Sequence, residues 1–255
     1  MSTLVLLHAF PLDHRMYDDI VEPIAKSGWQ VFAPDIRGFG DAPSWENKTQ
    51  SLTTCAQDVV AMLDKYGITK AVIGGCSLGG YIAMEMLRYA PERVAGLILM
   101  DTKASADSEE GRANRYRVAE SVFQAGTTEA FWRSMLPNLL GATTTTTKPH
   151  TVDRVRGILS ESKVEAVMRL QEAMAARPDS HEDLRAFRGP VLSLRGVEDV
   201  IATAADHAQI VDAAPDAMHV DIKGAGHLAP IEAPVETANA IVDFLYRVST
   251  QFQCA

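Results

Sequence analysis

The chain has 255 residues, 47% apolar and 22% charged, with 17 glycines and 12 prolines. These proportions suit one globular core with room for an insertion and exclude a collagen-like or low-complexity chain. No run approaches the roughly 18 apolar residues of a membrane span, and a formal net charge of -9 argues against a nucleic-acid partner, whose binding depends on lysines and arginines displacing counterions.

The N-terminus runs directly into an apolar segment, Leu4 to Leu7, with no basic residue before Arg15. That is too short and too uncharged at its start for a signal peptide. Continuous apolar runs of this kind mark strands buried on both faces, and they alternate here with helical spacing. In chain order the expectation is a strand at Leu4 to Leu7, a helix at Met16 to Lys26, a strand at Val31 to Ala33 and a helix at Leu52 to Tyr66. A strand at Ala71 to Ile73, a helix at Leu78 to Tyr89 that ends before Pro91, and a strand at Val94 to Met100 follow. Residues 102–189 break the rhythm. They carry helical patterns at Arg112 to Gln124, Glu129 to Leu136, Val152 to Leu159 and Lys163 to Ala175 and no strand, which predicts an all-helical insertion. Within it the five threonines Thr143 to Thr147, flanked by Gly141 and Pro149, are expected to form a loop. The alternation resumes with strands at Val191 to Leu194 and Met218 to Ile222 and helices at Thr203 to Ala213 and Pro234 to Val248. Three cysteines, Cys55, Cys76 and Cys254, form neither a disulfide framework nor a metal-binding spacing, so a reduced, cytoplasmic setting is expected.

The chemistry concentrates at Gly75-Cys76-Ser77-Leu78-Gly79, a G-x-S-x-G pattern placed between a strand and a helix. A serine raised on so sharp a turn takes a strained backbone, and the residues two before and two after it must be small for the turn to close. The hydroxyl is a weak nucleophile until a base removes its proton, so an oriented histidine is required. His227, in the loop Gly224-Ala225-Gly226-His227 after the last strand, is the candidate base; His14, His150, His181, His207 and His219 are assigned surface or structural roles. For the acid, Asp199 has the better spacing after its strand, Asp101 competes from the end of the preceding strand, and Glu198 ranks after both. Oxyanion donors are expected from the backbone N–H groups of Leu78 and of Phe10, in the loop His8-Ala9-Phe10-Pro11. Cys76 is read as a packing residue, since the turn presents only its central side chain.

With these residues in place, the chain resembles the α/β-hydrolase superfamily, in the branch of small serine esterases, enol-lactonases and cofactor-free haloperoxidases. The resemblance rests on the His8 loop, Asp35-Ile36-Arg37-Gly38-Phe39-Gly40, the serine turn, the strand-end acid, the Gly-x-Gly-His loop and the chain order serine, acid, histidine. It implies structural roles for Asp35 and Arg37 and a helical cap. Ser77 in place of an aspartate separates the chain from haloalkane dehalogenases and epoxide hydrolases. Three features depart from the family pattern. Ala9 replaces a glycine where the oxyanion loop turns, Ala42 replaces a frequent serine, and only Met1 to Thr3 precede the first strand where the family has two more strands. The expected fold is therefore an α/β-hydrolase core of residues 1–101 and 190–255, its N-terminal hairpin missing. Its sheet has about six strands, all parallel, with Val31 to Ala33 at or near an edge, and residues 102–189 are inserted as a cap.

The charge divides unevenly, with a balance of +1 in residues 102–189 and -10 in the remainder. Ten arginines in that stretch are expected chiefly to form solvated pairs along helix faces. Phe123, Phe131, Trp132, Met135, Leu136, Leu139 and Leu140 supply core packing and part of a pocket wall. The expected activity is hydrolysis of a small carboxylic ester or lactone through an acyl-enzyme on Ser77, with His227 and Asp199 completing the triad. No cofactor, metal or nucleic acid and no membrane is expected to take part; homo-oligomerisation stays compatible with the sequence. The same triad could serve perhydrolysis or carbon–carbon bond hydrolysis, and a non-catalytic ligand-binding protein on this fold is the rival of a different class.

Overall fold

The computed structural model describes residues 2–253, so Cys254 lies outside the described residues. Six strands, β1 (Thr3–Leu7), β2 (Gln30–Phe32), β3 (Ala71–Cys76), β4 (Val94–Met100), β5 (Val191–Gly196) and β6 (Ala217–Ile222), form one sheet in the order β2-β1-β3-β4-β5-β6. Every pairing is parallel, and β2 lies at an edge, both as expected from the sequence. Parallel neighbours need crossover connections, and helices carried on those crossovers cover both faces. The strands record this in their burial: β1 and β3 are buried at every residue, whereas the edge strands β2 and β6 are half exposed. Side chains alternate between two cores. Val5, Leu7, Ile73 and Leu97 face one apolar cluster, and Leu4, Leu6, Val72 and Ile98 the other.

The helices are α1 (Asp18–Lys26), α2 (Leu52–Lys65), α3 (Leu78–Tyr89), α4 (Glu109–Ala125), α5 (Glu129–Leu139), α6 (Ala142–Thr147), α7 (Pro149–Ser160), α8 (Val164–Ala175), α9 (His181–Ala186), α10 (Ala204–Ala213), α11 (Ala229–Glu232) and α12 (Pro234–Gln253). The first expected helix is split, its beginning taken by a 3-10 turn at His14–Tyr17. The short α9 and α11 have no counterpart in the sequence expectation. Among the described residues no helix is long and apolar enough to cross a membrane.

Helices α4 to α9 all fall between β4 and β5, and they share the cores of the sheet. Val167 and Leu170 of α8 join the cluster of Val5 and Ile73, and Leu139 and Leu159 join that of Leu4 and Leu6. Burying a leucine fully contributes roughly 1.5–3 kcal/mol. The loop expected at Thr143 to Thr147 is instead helix α6. Its threonine hydroxyls donate back to carbonyls one turn earlier, Thr145 Oγ1 and Thr146 Oγ1 to Ala142 and Thr147 Oγ1 to Thr143. Glu198 seats the N-terminus, accepting from Thr143 N at 2.8 Å and Thr143 Oγ1 at 2.5 Å. A tertiary carboxylate at a helix N-terminus outweighs the weak helix propensity of a β-branched run. The apolar set is also divided: Trp132, Leu139 and Leu140 are buried, while Phe123 is 57% exposed and takes no part in a core.

Candidate active site

β3 leads into α3 through Ser77, whose backbone stands at φ 52°, ψ -110°. A non-glycine residue there is strained by about 1–3 kcal/mol, which the surrounding packing must hold. The neighbours show why they are glycines. A Cβ on Gly75 would lie 2.0 Å from the Gly79 carbonyl carbon, and one on Gly79 would lie 1.9 Å from the Leu7 carbonyl oxygen. Ser77 is held through its main chain: its N–H donates to Met100 O at 2.9 Å, and its carbonyl accepts from Tyr81 N and Thr102 Oγ1. From residue 71 to residue 87 every position is buried except Ser77. The turn therefore offers one side chain to solvent, at the start of a helix whose first N–H groups have no partner within the helix.

The loops after β5 and β6 supply the partners. Asp199 and His227 are both buried, and His227 Nδ1 bonds Asp199 Oδ2 at 2.8 Å. The other oxygen of Asp199 accepts from Ile201 N and Ala202 N. Burial opposes a charge on Asp199, but the bond to His227 and these two N–H groups hold its carboxyl below the ordinary value. Burial would depress the imidazole as well; the bond to Asp199 and the charges of Asp199, Asp101 and Glu232 outweigh it and raise His227 above 6.5. Cys76 Sγ donates to the His227 carbonyl oxygen at 3.5 Å, so the histidine loop lies against the residue preceding Ser77. Burial pushes the Cys76 thiol far up, which removes it as a thiolate nucleophile.

The two competing acids are engaged elsewhere. Asp101 Oδ1 accepts from Gly196 N at 2.7 Å and its Oδ2 from Ala229 N at 3.1 Å, so it joins the loop before Asp199 to the turn after His227. Burial and the nearby charge of Asp199 push its carboxyl up to about 7. Glu198 is taken by Thr143. Glu232, which the sequence did not single out, accepts from three backbone N–H groups near His227 and is 1% exposed. The available signal was an acidic residue set in the otherwise apolar run Ala229-Pro230-Ile231-Glu232-Ala233.

Phe10 is buried at the exit of β1, its ring edge-on to Phe39 and 5.9 Å from Phe131 of α5. Leu78 is the first residue of α3, and its N–H points out of the helix start. Ala9 is absent from the residues of positive φ, so the loop needs no glycine there. His8 Nε2 accepts from Ile36 N while its Nδ1 faces Ala9 O, which makes it a strut. Asp35 binds His14 and Asp41 N, and Arg37 makes a paired contact with Asp58. Asp13, His14 and Asp35 converge within 4.8 Å, but Asp13 is already bound by Arg15. A cavity of about 580 Å³ lies under the edge strand, lined by Phe32, Pro34, Val59, Met62 and Tyr66, and contains none of the five site residues.

Four arginines between β4 and β5, Arg133, Arg156, Arg169 and Arg185, pair along their own helices as expected. Arg177 departs from that pattern: it is buried, bonded to Asp107 and 4.1 Å over the Tyr81 ring.

A model of the alpha/beta hydrolase fold matches residues 2–234. The structure is similar to that of a thermophilic esterase from Thermogutta terrifontis, with a TM-score of 0.93 and 34% identity over 97% of this chain and 90% of that one. It also resembles the enol-lactonase from Burkholderia xenovorans LB400, with a TM-score of 0.86 over 96% of this chain and 91% of that one; at 24% identity this likeness speaks for the fold. The dihydrolipoyllysine-residue acetyltransferase component of an acetoin cleaving system from Pseudomonas putida is 28% identical over 248 residues, 96% of this chain. The chain spans 63% of that relative's length.

Proposed function

Because the chain belongs to the alpha/beta hydrolase fold family, we propose that it is a serine hydrolase of small carboxylic esters or lactones. The observation that carries this is Ser77, held at φ 52° as the one side chain of the elbow that is not buried, next to Cys76, whose thiol bonds the main chain of a histidine already bonded to a carboxylate. Ser77 attacks the substrate carbonyl as His227 Nε2 takes its proton. Asp199, on Nδ1, fixes the tautomer that leaves Nε2 free to accept and stabilises the imidazolium that forms. The N–H groups of Phe10 and Leu78 bind the oxyanion. His227 then returns its proton to the leaving alcohol and activates a water to release the acid. In this proposal residues 102–189 act as a cap: Phe131 packs on Phe10 and gives the acyl site an apolar wall. The protein works in the cytoplasm on a small-molecule substrate.

A panel of p-nitrophenyl esters and small lactones, assayed with wild type and Ser77→Ala, tests the proposal. Hydrolysis by the wild type that disappears in the variant, together with stoichiometric labelling of Ser77 by a fluorophosphonate, is the expected result. A folded wild type that neither hydrolyses any member nor takes the label would overturn it.

A further inference from the structure

Glu232 closes the four-residue turn α11 and is buried in apolar surroundings. Its Oε1 accepts from Gly226 N at 2.9 Å and from Leu228 N at 3.1 Å, the two residues that flank His227. Its Oε2 accepts from Gly141 N at 2.8 Å, in the link between α5 and α6. Residues 139–148 are bound to the loops that carry His227 and Asp199 at three more points: His227 N donates to Leu139 O, Lys148 Nζ to Glu232 O, and Thr143 to Glu198, the neighbour of Asp199. Nothing larger than glycine fits between them, since a Cβ on Gly226 would stand 2.3 Å from Gly141 N.

A buried carboxylate is costly unless its oxygens are bonded, and charge-assisted bonds to N–H groups are the strong kind. Here two of the three go to the peptides on either side of His227, which determine where its ring hangs, and the third goes to Gly141. The groups of opposite charge or titratable character around that ring are Asp199, Asp101 and Glu232, with Cys76 on its carbonyl. Resting on the hydrolase reading above, we propose that Glu232 is a positioning residue for His227. It fixes the peptides on both sides of the histidine and ties them to residues 139–148, so that displacement of the inserted helices is felt by the base.

The test uses the full chain with Glu232→Gln and Glu232→Asp. Glutamine keeps one acceptor but turns an amide N–H₂ toward a backbone N–H and removes the charge; aspartate keeps the charge on a shorter stem. The His227 ring is titrated by NMR in a Ser77→Ala background, and kcat and KM are measured on the best ester with Ser77 intact. For Glu232→Gln the His227 midpoint should move down, and kcat should fall on the order of tenfold or more while KM stays within about threefold. Glu232→Asp should hold the midpoint near wild type and recover part of kcat. A role confined to stability would lower the folded fraction and leave both midpoint and kcat per folded molecule unchanged, which would overturn the proposal. Should Glu232→Gln not fold, wild-type kcat in Glu232→Asp would overturn it equally. The ring titration needs no substrate, so a folded wild type that hydrolyses no ester or lactone and takes no fluorophosphonate would sink the hydrolase reading without deciding this one.

Discussion

Asp101 and Asp199 are two buried carboxylates at the ends of adjacent strands, and their bonds give them different work. Asp199 faces the imidazole; Asp101 faces two peptides. A base must be neutral to accept the serine proton, and His227 is raised above 6.5. The rate kcat/KM should therefore fall as pH drops through a midpoint above that value. Asp199→Asn removes the bond and the charge that raise it. The midpoint should move down, and kcat should drop on the order of 10⁴, as the equivalent change does in a protease triad; near wild-type turnover would refute the assignment. Asp101→Asn leaves the Asp199–His227 bond in place, so its turnover should stay far above that of Asp199→Asn. An amide can accept only one of the two N–H groups, which costs roughly 1–3 kcal/mol. Its pH dependence has a definite sign. A carboxyl raised from 3.8 to about 7 holds a proton in the folded state that the unfolded chain has already lost. Its contribution to stability is thus greatest below 3.8 and declines as pH rises through 7. Urea unfolding at pH 5 and pH 8 should show a smaller loss with pH for Asp101→Asn than for wild type.

Among the elements, the β3–α3 turn was the most legible in the sequence. The requirement for small residues at Gly75 and Gly79 is steric and local, so spacing alone exposes it. Gly79→Ala would drive a Cβ into the Leu7 carbonyl, where backbone and not a pliable side chain stands in the way. It should lower stability by more than the roughly 1–3 kcal/mol of ordinary overpacking and abolish fluorophosphonate labelling of any folded remainder, measured by urea unfolding and by mass. Helix α6 was illegible for the opposite reason. Thr143 to Thr147 have no periodic apolar face, and what makes them helical is Glu198, 55 positions away. Glu232 was hidden in part the same way: two of its donors lie within six positions, but the third, Gly141 N, is 91 positions away. The strands were read correctly because burial on both faces writes itself directly as apolar runs. The preference for Asp199 over Asp101 was legible in spacing, since Asp199 stands three residues beyond the end of β5 while Asp101 follows β4 directly; that Asp101 bonds two peptides was not, because its donors lie 95 and 128 positions away.

At the scale of the whole molecule, the helical stretch between β4 and β5 is closed at its base. Arg177, just after α8, bonds Asp107 and the Ser105 carbonyl just before α4, and Ser180 N donates to Ala104 O. Although burial opposes its charge, Asp107 is held down at about 2 by Arg177 and Arg115. Arg177→Ala leaves that half-buried carboxylate with one guanidinium and should cost on the order of 1 kcal/mol at pH 7, solvent screening the remainder. A lowered carboxyl contributes stability above 3.8 that is lost as pH falls through 2, so the gap between wild type and variant should narrow over that interval in urea unfolding. The sheet order has a consequence in time. Cys76 and His227 meet although 151 positions separate them, Asp101 and Ala229 across 128, and Gly141 and Glu232 across 91. Contacts of such long range form late, because the loop entropy is lost before they return anything. In refolding, helix content and a collapsed core should therefore precede the arrangement of Ser77, Asp199 and His227, and if Ser77 is the nucleophile proposed above, the onset of its fluorophosphonate labelling should lag the helix signal and serve as a clock for the native state.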